Sequence, residues 1–183
     1  MRILYVYGMA ETKDIPLTLR QMGYKVEEYP KVQNNSVLSD EETDEIVTYV
    51  KRHRITHLIS IHLIYNLALA AYKAGIKYIS VIWDAPYIKI FSPFGRLTNC
   101  YFSVFDRLDQ ERFQNAGIPH TLYQPLAVNK GDALAWTRNA RKALEGKYIN
   151  DICFVGRLYE DNLFDERVKN MPPVIVDYFN SIF

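Results

Sequence analysis

The stretch Ser80–Tyr87, SVIWDAPY, places a carboxylate where it could do chemistry. Asp84 directly follows a run of strand-forming apolar residues, and Trp83 and Pro86 flank it closely. Because burial raises the pKa of a carboxyl group, such neighbours could tune Asp84 as a general base. Asp84 could instead cap a turn ahead of Pro86, which is an ordinary use of aspartate beside proline. The sequence leaves both interpretations open.

Two further side chains, Asp106 and His62, are candidates for acid or base catalysis. Asp106 ends an apolar run, where capping the next helix is the commoner use of aspartate. His62 also follows an apolar run, and histidine can transfer protons near neutral pH. We expect the strand before His62 to lie at an edge of the sheet, away from the site.

These side chains need a sheet to position them, and the hydrophobic pattern predicts one. Short β-branched or aromatic runs alternate with longer segments of helical period, which is typical of a parallel sheet covered by helices. The sequence therefore predicts a Rossmann-like, three-layer α/β/α fold with a mainly parallel sheet of six or seven strands. The predicted strands are Arg2–Gly8, Tyr24–Tyr29, His57–Ile61, Lys77–Ile82, Cys100–Phe105, His120–Gln124 and Asp151–Gly156.

The segments between the strands carry helix signals. Ser39 and Glu42 have the spacing of a capping box ahead of an amphipathic helix. A later helix contains Trp136 and is predicted to end near Gly146. The predicted stop signals after three other helices are Gly23, Gly75 and Gly117.

Near the end of the chain, Pro172 and Pro173 suit the start of a helix. That helix would end on the apolar residues Ile182 and Phe183 without a cap. This ending suggests a chain cut from a longer protein, although a native C-terminus folded against the core stays an open alternative.

The expected strand order decides which loops meet. We expect the first strand to be central, with the second and third on one side and the fourth to sixth on the other. The first and fourth strands would then be neighbours, and the loops Gly8–Glu11 and Trp83–Tyr87 would face each other. This order predicts Gly8, Trp83 and Tyr87 as substrate-binding residues around Asp84.

The loop after Asp84 is rich in aromatic residues. Tyr87, Phe91 and Phe94 could stack on the sugar faces of a ligand. They could instead fold back to form a small satellite core. Both interpretations remain open from the sequence.

Composition narrows the classes of partner. Lysine and arginine total 22 against 21 acidic residues, so the formal net charge is +1. Such a small charge creates no large basic field that would attract nucleic acid. No apolar run reaches the roughly 18 residues of a membrane span, and the first residues lack a signal peptide's apolar region. The two cysteines lie in apolar runs, which fits a reducing environment. We expect a cytoplasmic protein.

The first loop, GMAE, disfavours a bound dinucleotide. It holds one glycine where several are needed for backbone contact with a pyrophosphate, and Glu11 would repel the phosphates. Glu27 and Glu28 do resemble a ribose-binding carboxylate. There is no GxxxxGK[ST] phosphate loop, and no histidine has the spacing of a metal site. We therefore predict neither a cofactor nor a metal.

The order of several segments resembles a known family. MRILYV, SVIWDAPY, CYFSVFDRLDQERFQNAGI, YQPLAVN and DICFVGRLYEDN together resemble the amino-terminal half of the CgeB-like (spore-maturation) glycosyltransferases, which are similar to GT-B enzymes. The likeness covers nearly the whole chain and rests on order and spacing. It implies an acceptor-side domain at residues 1–150, followed by a crossing segment at 151–183 that begins a missing carboxy-terminal domain.

The resemblance also implies a reaction and its participants. A nucleotide-sugar would be the donor substrate, and a glycan, glycoprotein or small molecule would be the acceptor. Asp84 would be the base, with Asp106 as the alternative, and Asn129 of YQPLAVN would contact substrate. Gly156 and Arg157 would contact the donor phosphates, although the acidic residues that follow argue against this. The competing account is a non-catalytic ligand-binding or regulatory module.

Overall fold

The computed structural model describes most of the chain. The described residues are 1–8, 12–30, 38–144, Lys147, 171–173 and Val176. The chain divides into two compact units, Met1–Ala133 and Leu134–Phe183. The predicted seventh strand, Asp151–Gly156, lies outside the described residues, and the proposed division after residue 150 stays a prediction.

Strands and helices alternate along the first unit. The strands are β1 (Arg2–Val6), β2 (Lys25–Tyr29), β3 (His57–Ile61), β4 (Lys77–Ile82), β5 (Cys100–Val104) and β6 (Thr121–Tyr123). The helices are α1 (Asp14–Gln21), α2 (Asp40–Arg52), α3 (Tyr65–Ala74), α4 (Arg107–Asn115) and α5 (Lys130–Leu144), of which α5 continues into the second unit. Two short 3₁₀ helices, Ile88–Phe91 and Pro93–Arg96, follow β4.

All six strands form one sheet, and every pairing between neighbours is parallel. The predicted α/β class with a Rossmann-like sheet flanked by helices is therefore confirmed. Apolar side chains fill both faces. One buried cluster joins the sheet to α2, α3 and α4, and a smaller cluster on the opposite face includes Tyr5 and receives Ile15 and Leu19 of α1.

The predicted strand order is wrong. The observed order is β2-β1-β3-β4-β5-β6, so β1 lies between β2 and β3 and does not touch β4. Two doubly wound orders, this one and the expected one, satisfy the same rule of right-handed crossovers, so alternation alone does not separate them. The consequence is that β3 is a central strand. Four of its five residues are buried, whereas β2 forms the edge.

The junction of α2 and α3 shows how the sequence fixes a helix start. Ser39 caps α2, because its Oγ accepts a hydrogen bond from the Glu42 backbone N–H at 3.2 Å. The other half of the predicted capping box runs through α3. The Ser39 N–H donates to Asn66 Oδ1 at 2.9 Å, and Asn66 Nδ2 donates to Glu42 Oε2. The start of one helix is thereby bound to the first turn of another.

The described residues also include one of the two cysteines and all the helices that can be compared with a membrane span. Cys100 is buried, and burial raises the pKa of its thiol to about 12. None of the helices in these residues combines the length and apolar character that a membrane span requires.

Gly75 offers a test of the fold. It ends α3 in the left-handed region, at a φ of 68°, and a Cβ added there would meet no atom within 4 Å. Gly75→Ala should therefore destabilise the protein by about 1 kcal/mol through backbone conformation alone. Gly75→Asn is the matched control and should cost less, since asparagine tolerates this region. Urea unfolding would measure both, and equal losses would contradict this conformation.

Candidate functional site

The carboxyl ends of β3 and β4 bring His62 and Asp84 together. His62 Nε2 lies 3.4 Å from Asp84 Oδ2. The His62 backbone N–H donates to the Val81 carbonyl oxygen at 2.9 Å, which ties the turn after β3 to β4. The His62 side chain is 20% exposed and that of Asp84 is 72% exposed. The pair therefore has one sheltered member and one that faces solvent.

The pair lines a pocket of about 230 Å³. Its walls are formed by Ile61, His62, Leu63, Ile64, Asp84, Tyr87 and Lys89. The volume is below the roughly 300–1,000 Å³ of sites for drug-sized ligands, so the pocket suits one small group. It opens at the carboxyl edge of the sheet, where doubly wound folds bind their ligands.

A wider hollow of about 540 Å³ lies against the faces of β4, β5 and β6. Its lining includes His57, Lys77, Tyr101 and His120, but no carboxylate. Tyr101 and His120 stack on each other with ring centroids 4.3 Å apart. Because this hollow is on a sheet face and offers no acid–base pair, we take the smaller pocket as the candidate site.

Burial controls the charge of His62. Removal from solvent lowers the pKa of the imidazole below its ordinary value, the carboxylate of Asp84 opposes that shift, and the charge of Lys89 adds to it. The ring is therefore neutral at pH 7, with its Nδ1 buried and without a hydrogen-bond partner among the described residues. A neutral imidazole can accept a proton, and an adjacent carboxylate stabilises the imidazolium that results. The arrangement can do base chemistry.

Tyr87 lines the pocket and packs against His62. Its ring is 7% exposed and stacks on the His62 ring, with centroids 5.1 Å apart and planes 14° apart. Its hydroxyl accepts a hydrogen bond from the Leu63 backbone N–H at 2.9 Å. Tyr87 thus lines the pocket, as a substrate-binding residue would, but its polar tip is used to hold the turn that carries His62.

The other aromatic residues of this loop fold inward. Phe91 meets Phe113 of α4 edge to face at 5.5 Å, and Phe94 stacks on Tyr65 of α3 at 4.7 Å. Of the two interpretations of this loop, the satellite core is the one that the structure adopts. Phe91 keeps 43% of its surface exposed.

The surroundings of Asp84 do not match the interpretation in which its neighbours exclude water. The side chain is 72% exposed and Pro86 is exposed as well. Trp83 is half-buried and does not line the pocket. Gly8 is buried directly after β1, and β3 lies between β1 and β4, so the end of β1 is not next to the end of β4.

The remaining predicted residues lie away from the pair. Asp106 caps α4, since its Oδ1 accepts from the Asp109 N–H at 2.8 Å, as the first interpretation of its position expects. Asn129 Oδ1 accepts from the Gly131 N–H at 3.0 Å, and its Nδ2 donates to Asp14 at 3.4 Å. Catalysis by Asp106 and substrate contact by Asn129 stay predictions. Gly156 and Arg157 lie outside the described residues.

The sequence makes His62 a candidate acid or base but predicts that it lies away from the site, because β3 is expected at an edge of the sheet. A signal against that view was present in the strands themselves. The sequence of β2, KVEEY, carries two glutamates, whereas β3, HLISI, has no charged residue after its first position. Central parallel strands are near-continuous apolar runs, so this contrast places β2 at the edge and β3 inside.

Among the described residues, no three His, Cys, Asp or Glu side chains cluster closely enough to hold a metal ion. Neither a family model nor a curated protein matches this sequence. Function must therefore be argued from the pocket and from the resemblance of the sequence segments.

The depressed pKa of His62 predicts a pH dependence of stability. Acidification protonates the unfolded chain first, so the contribution of His62 is present above pH about 6.5 and is lost as the pH falls through its lower folded pKa. His62→Gln should therefore lose less unfolding free energy than the wild type between pH about 7 and about 5, measured by urea unfolding.

His57→Gln is the matched control. Burial also lowers the pKa of His57. This variant therefore removes the contribution of His57 to the pH dependence of stability, which has the same sign, and keeps the contribution of His62. A His62→Gln variant whose stability falls with pH as steeply as that of the wild type would show that His62 is not sheltered.

Proposed function

We propose that this chain is the acceptor-side, Rossmann-like domain of a GT-B glycosyltransferase. In this proposal the pocket of His62 and Asp84 receives the acceptor hydroxyl. The observation that carries it is the 3.4 Å approach of these two side chains in a pocket at the carboxyl edge of the sheet. The order of segments shared with CgeB-like enzymes supports the same conclusion.

The proposed reaction needs a proton acceptor. As the acceptor oxygen bonds to the anomeric carbon of the sugar, its proton must leave and the bond from that carbon to the diphosphate must break. A base within hydrogen-bond reach removes the proton. Asp84 is the proposed base, and neutral His62 beside it can take the same role or share it. Burial lowers the pKa of His62 and keeps the ring neutral, and the charge of Lys89 at the pocket acts in the same direction.

In the proposed enzyme, the donor and the acceptor bind to different domains. A nucleotide-sugar donor would bind mainly to a second domain, which would supply positive or amide groups for the leaving diphosphate. The acceptor would be a glycan, glycoprotein or small molecule with a free hydroxyl. On this view the 183-residue chain alone binds acceptor but transfers no sugar.

Substitution in an enzyme that contains both domains tests the catalytic roles. Asp84→Asn and His62→Gln remove the proton acceptor with little change in size, so each should lower turnover by about 10²- to 10⁴-fold. Asp40→Asn, on the exposed first turn of α2, is the matched control and should leave turnover unchanged. Full turnover by both site variants would remove this pair from the mechanism.

A non-catalytic binding module is the second candidate, and the exposure of Asp84 favours it. A solvated carboxylate can bind a polar ligand without being tuned as a base. Titrating the 183-residue chain with methyl glycosides and with nucleotide-sugars, followed by NMR signals of His62, tests the acceptor assignment. Glycosides should perturb His62, whereas selective perturbation by nucleotide-sugars would contradict an acceptor site. Glycoside binding combined with unchanged turnover of the two site variants would favour the module.

A further inference from the structure

Two hydroxyl groups lie buried directly beneath the turn that carries His62. Ser60 of β3 and Tyr78 of β4 are each 0% exposed, and their oxygens are 2.7 Å apart. Both lie within hydrogen-bond distance of the His62 carbonyl oxygen, Ser60 Oγ at 2.9 Å and the Tyr78 hydroxyl at 3.1 Å. The Tyr78 hydroxyl also accepts from the Ile64 N–H at 3.0 Å. We call Ser60, Tyr78 and Tyr87 the hydroxyl network.

The network binds the whole turn between β3 and α3. Tyr87 accepts from the Leu63 N–H, and Tyr78 accepts from the Ile64 N–H. Ile64 is the N-cap position of α3 and has no capping side chain of its own. Tyrosine hydroxyls from the segment that begins at β4 therefore accept the hydrogen bonds of the N-cap residue's N–H and of the N–H before it, two buried backbone donors that need partners.

The turn needs to be held because His62 adopts an unfavourable backbone conformation. Its φ is 60°, in the left-handed region, which is unfavourable for a residue with a side chain. Such conformations persist only where surrounding contacts impose them. The same φ sets the direction in which the imidazole leaves the backbone. Loss of the anchoring hydroxyls would let the residue relax and turn the ring away from Asp84.

This arrangement places polar hydroxyl groups inside the apolar core. Hydroxyls buried in an apolar core are costly unless they are hydrogen-bonded, and each of these is bonded at the turn. Buried apolar residues such as Leu58 and Ile82 lie in the same strands as Ser60 and Tyr78. A core with apolar residues at both positions would leave the Ile64 N–H and the His62 carbonyl without these partners.

We propose that Tyr78 is a positioning residue of the candidate site: its hydroxyl, together with that of Ser60, holds the His62 turn so that the imidazole faces Asp84. The catalytic consequence rests on the proposed function. The positioning itself does not, and it can be measured in the 183-residue chain without any transfer reaction.

A double-mutant cycle read by NMR tests the proposal. The Tyr87 ring stacks on His62, and the charged groups that act on the pKa of His62 are Asp84 and Lys89. Because the carboxylate raises the pKa of His62, Asp84→Asn should lower it in the wild-type background. In the Tyr78→Phe background the ring should sit farther from residue 84. The lowering caused by Asp84→Asn should then be about half as large or less.

Tyr72→Phe is the matched control, because Tyr72 lies on α3 with 56% of its surface exposed. In that background Asp84→Asn should shift His62 as in the wild type. If Tyr78→Phe does not fold, Ser60→Ala and Tyr87→Phe carry the same cycle, each removing one anchor of the turn. Tyr87→Phe also keeps the ring that stacks on His62.

The outcomes separate this proposal from the proposed function. An undiminished effect of Asp84→Asn in folded Tyr78→Phe, or in both substitute variants, would overturn the positioning role whatever the enzyme does. A diminished effect would support it even if the chain proves to be a binding module.

Discussion

The candidate site depends on one constraint, which is that β3 pairs with both β1 and β4. Strand spacing in a sheet is about 4.8 Å, so neighbouring strands deliver their next residues to the same small region. His62 and Asp84 meet for this reason. If β3 instead lay beyond β2, three strand spacings, about 14 Å, would separate it from β4, and no contact between these side chains could form.

The elements were predictable because their signals are local. The strands show as short apolar runs, Ser39 and Asp106 mark helix starts, and Gly75 marks a helix end, and all three act as predicted. The strand order was not recovered, because a βα alternation satisfies the crossover rule in more than one arrangement. The contrast between the glutamates of β2 and the apolar run of β3 does carry information about the order, since a charged strand is stable at an edge.

One residue of the candidate pair could be predicted from local sequence, and the other could not, because its position depends on the strand order. Asp84 could be placed at the end of a strand from local sequence, but its partner depends on which strand lies beside it. The anchoring hydroxyls are harder still, because a serine or tyrosine inside an apolar run does not reveal which backbone group it will bind. Their role follows only from distances between β3, β4 and the turn to α3. The proposed sugar transfer accordingly rests on this pocket and on the order of sequence segments.

The most direct test of the central claim is a measurement of strand adjacency in solution. Nuclear Overhauser contacts between backbone protons detect neighbouring parallel strands and not strands separated by another. We expect contacts between Ser60 and Ser80, which are register partners of β3 and β4, and between β3 and β1. Contacts between β1 and β4 in their place would contradict this claim, because His62 could then not reach Asp84.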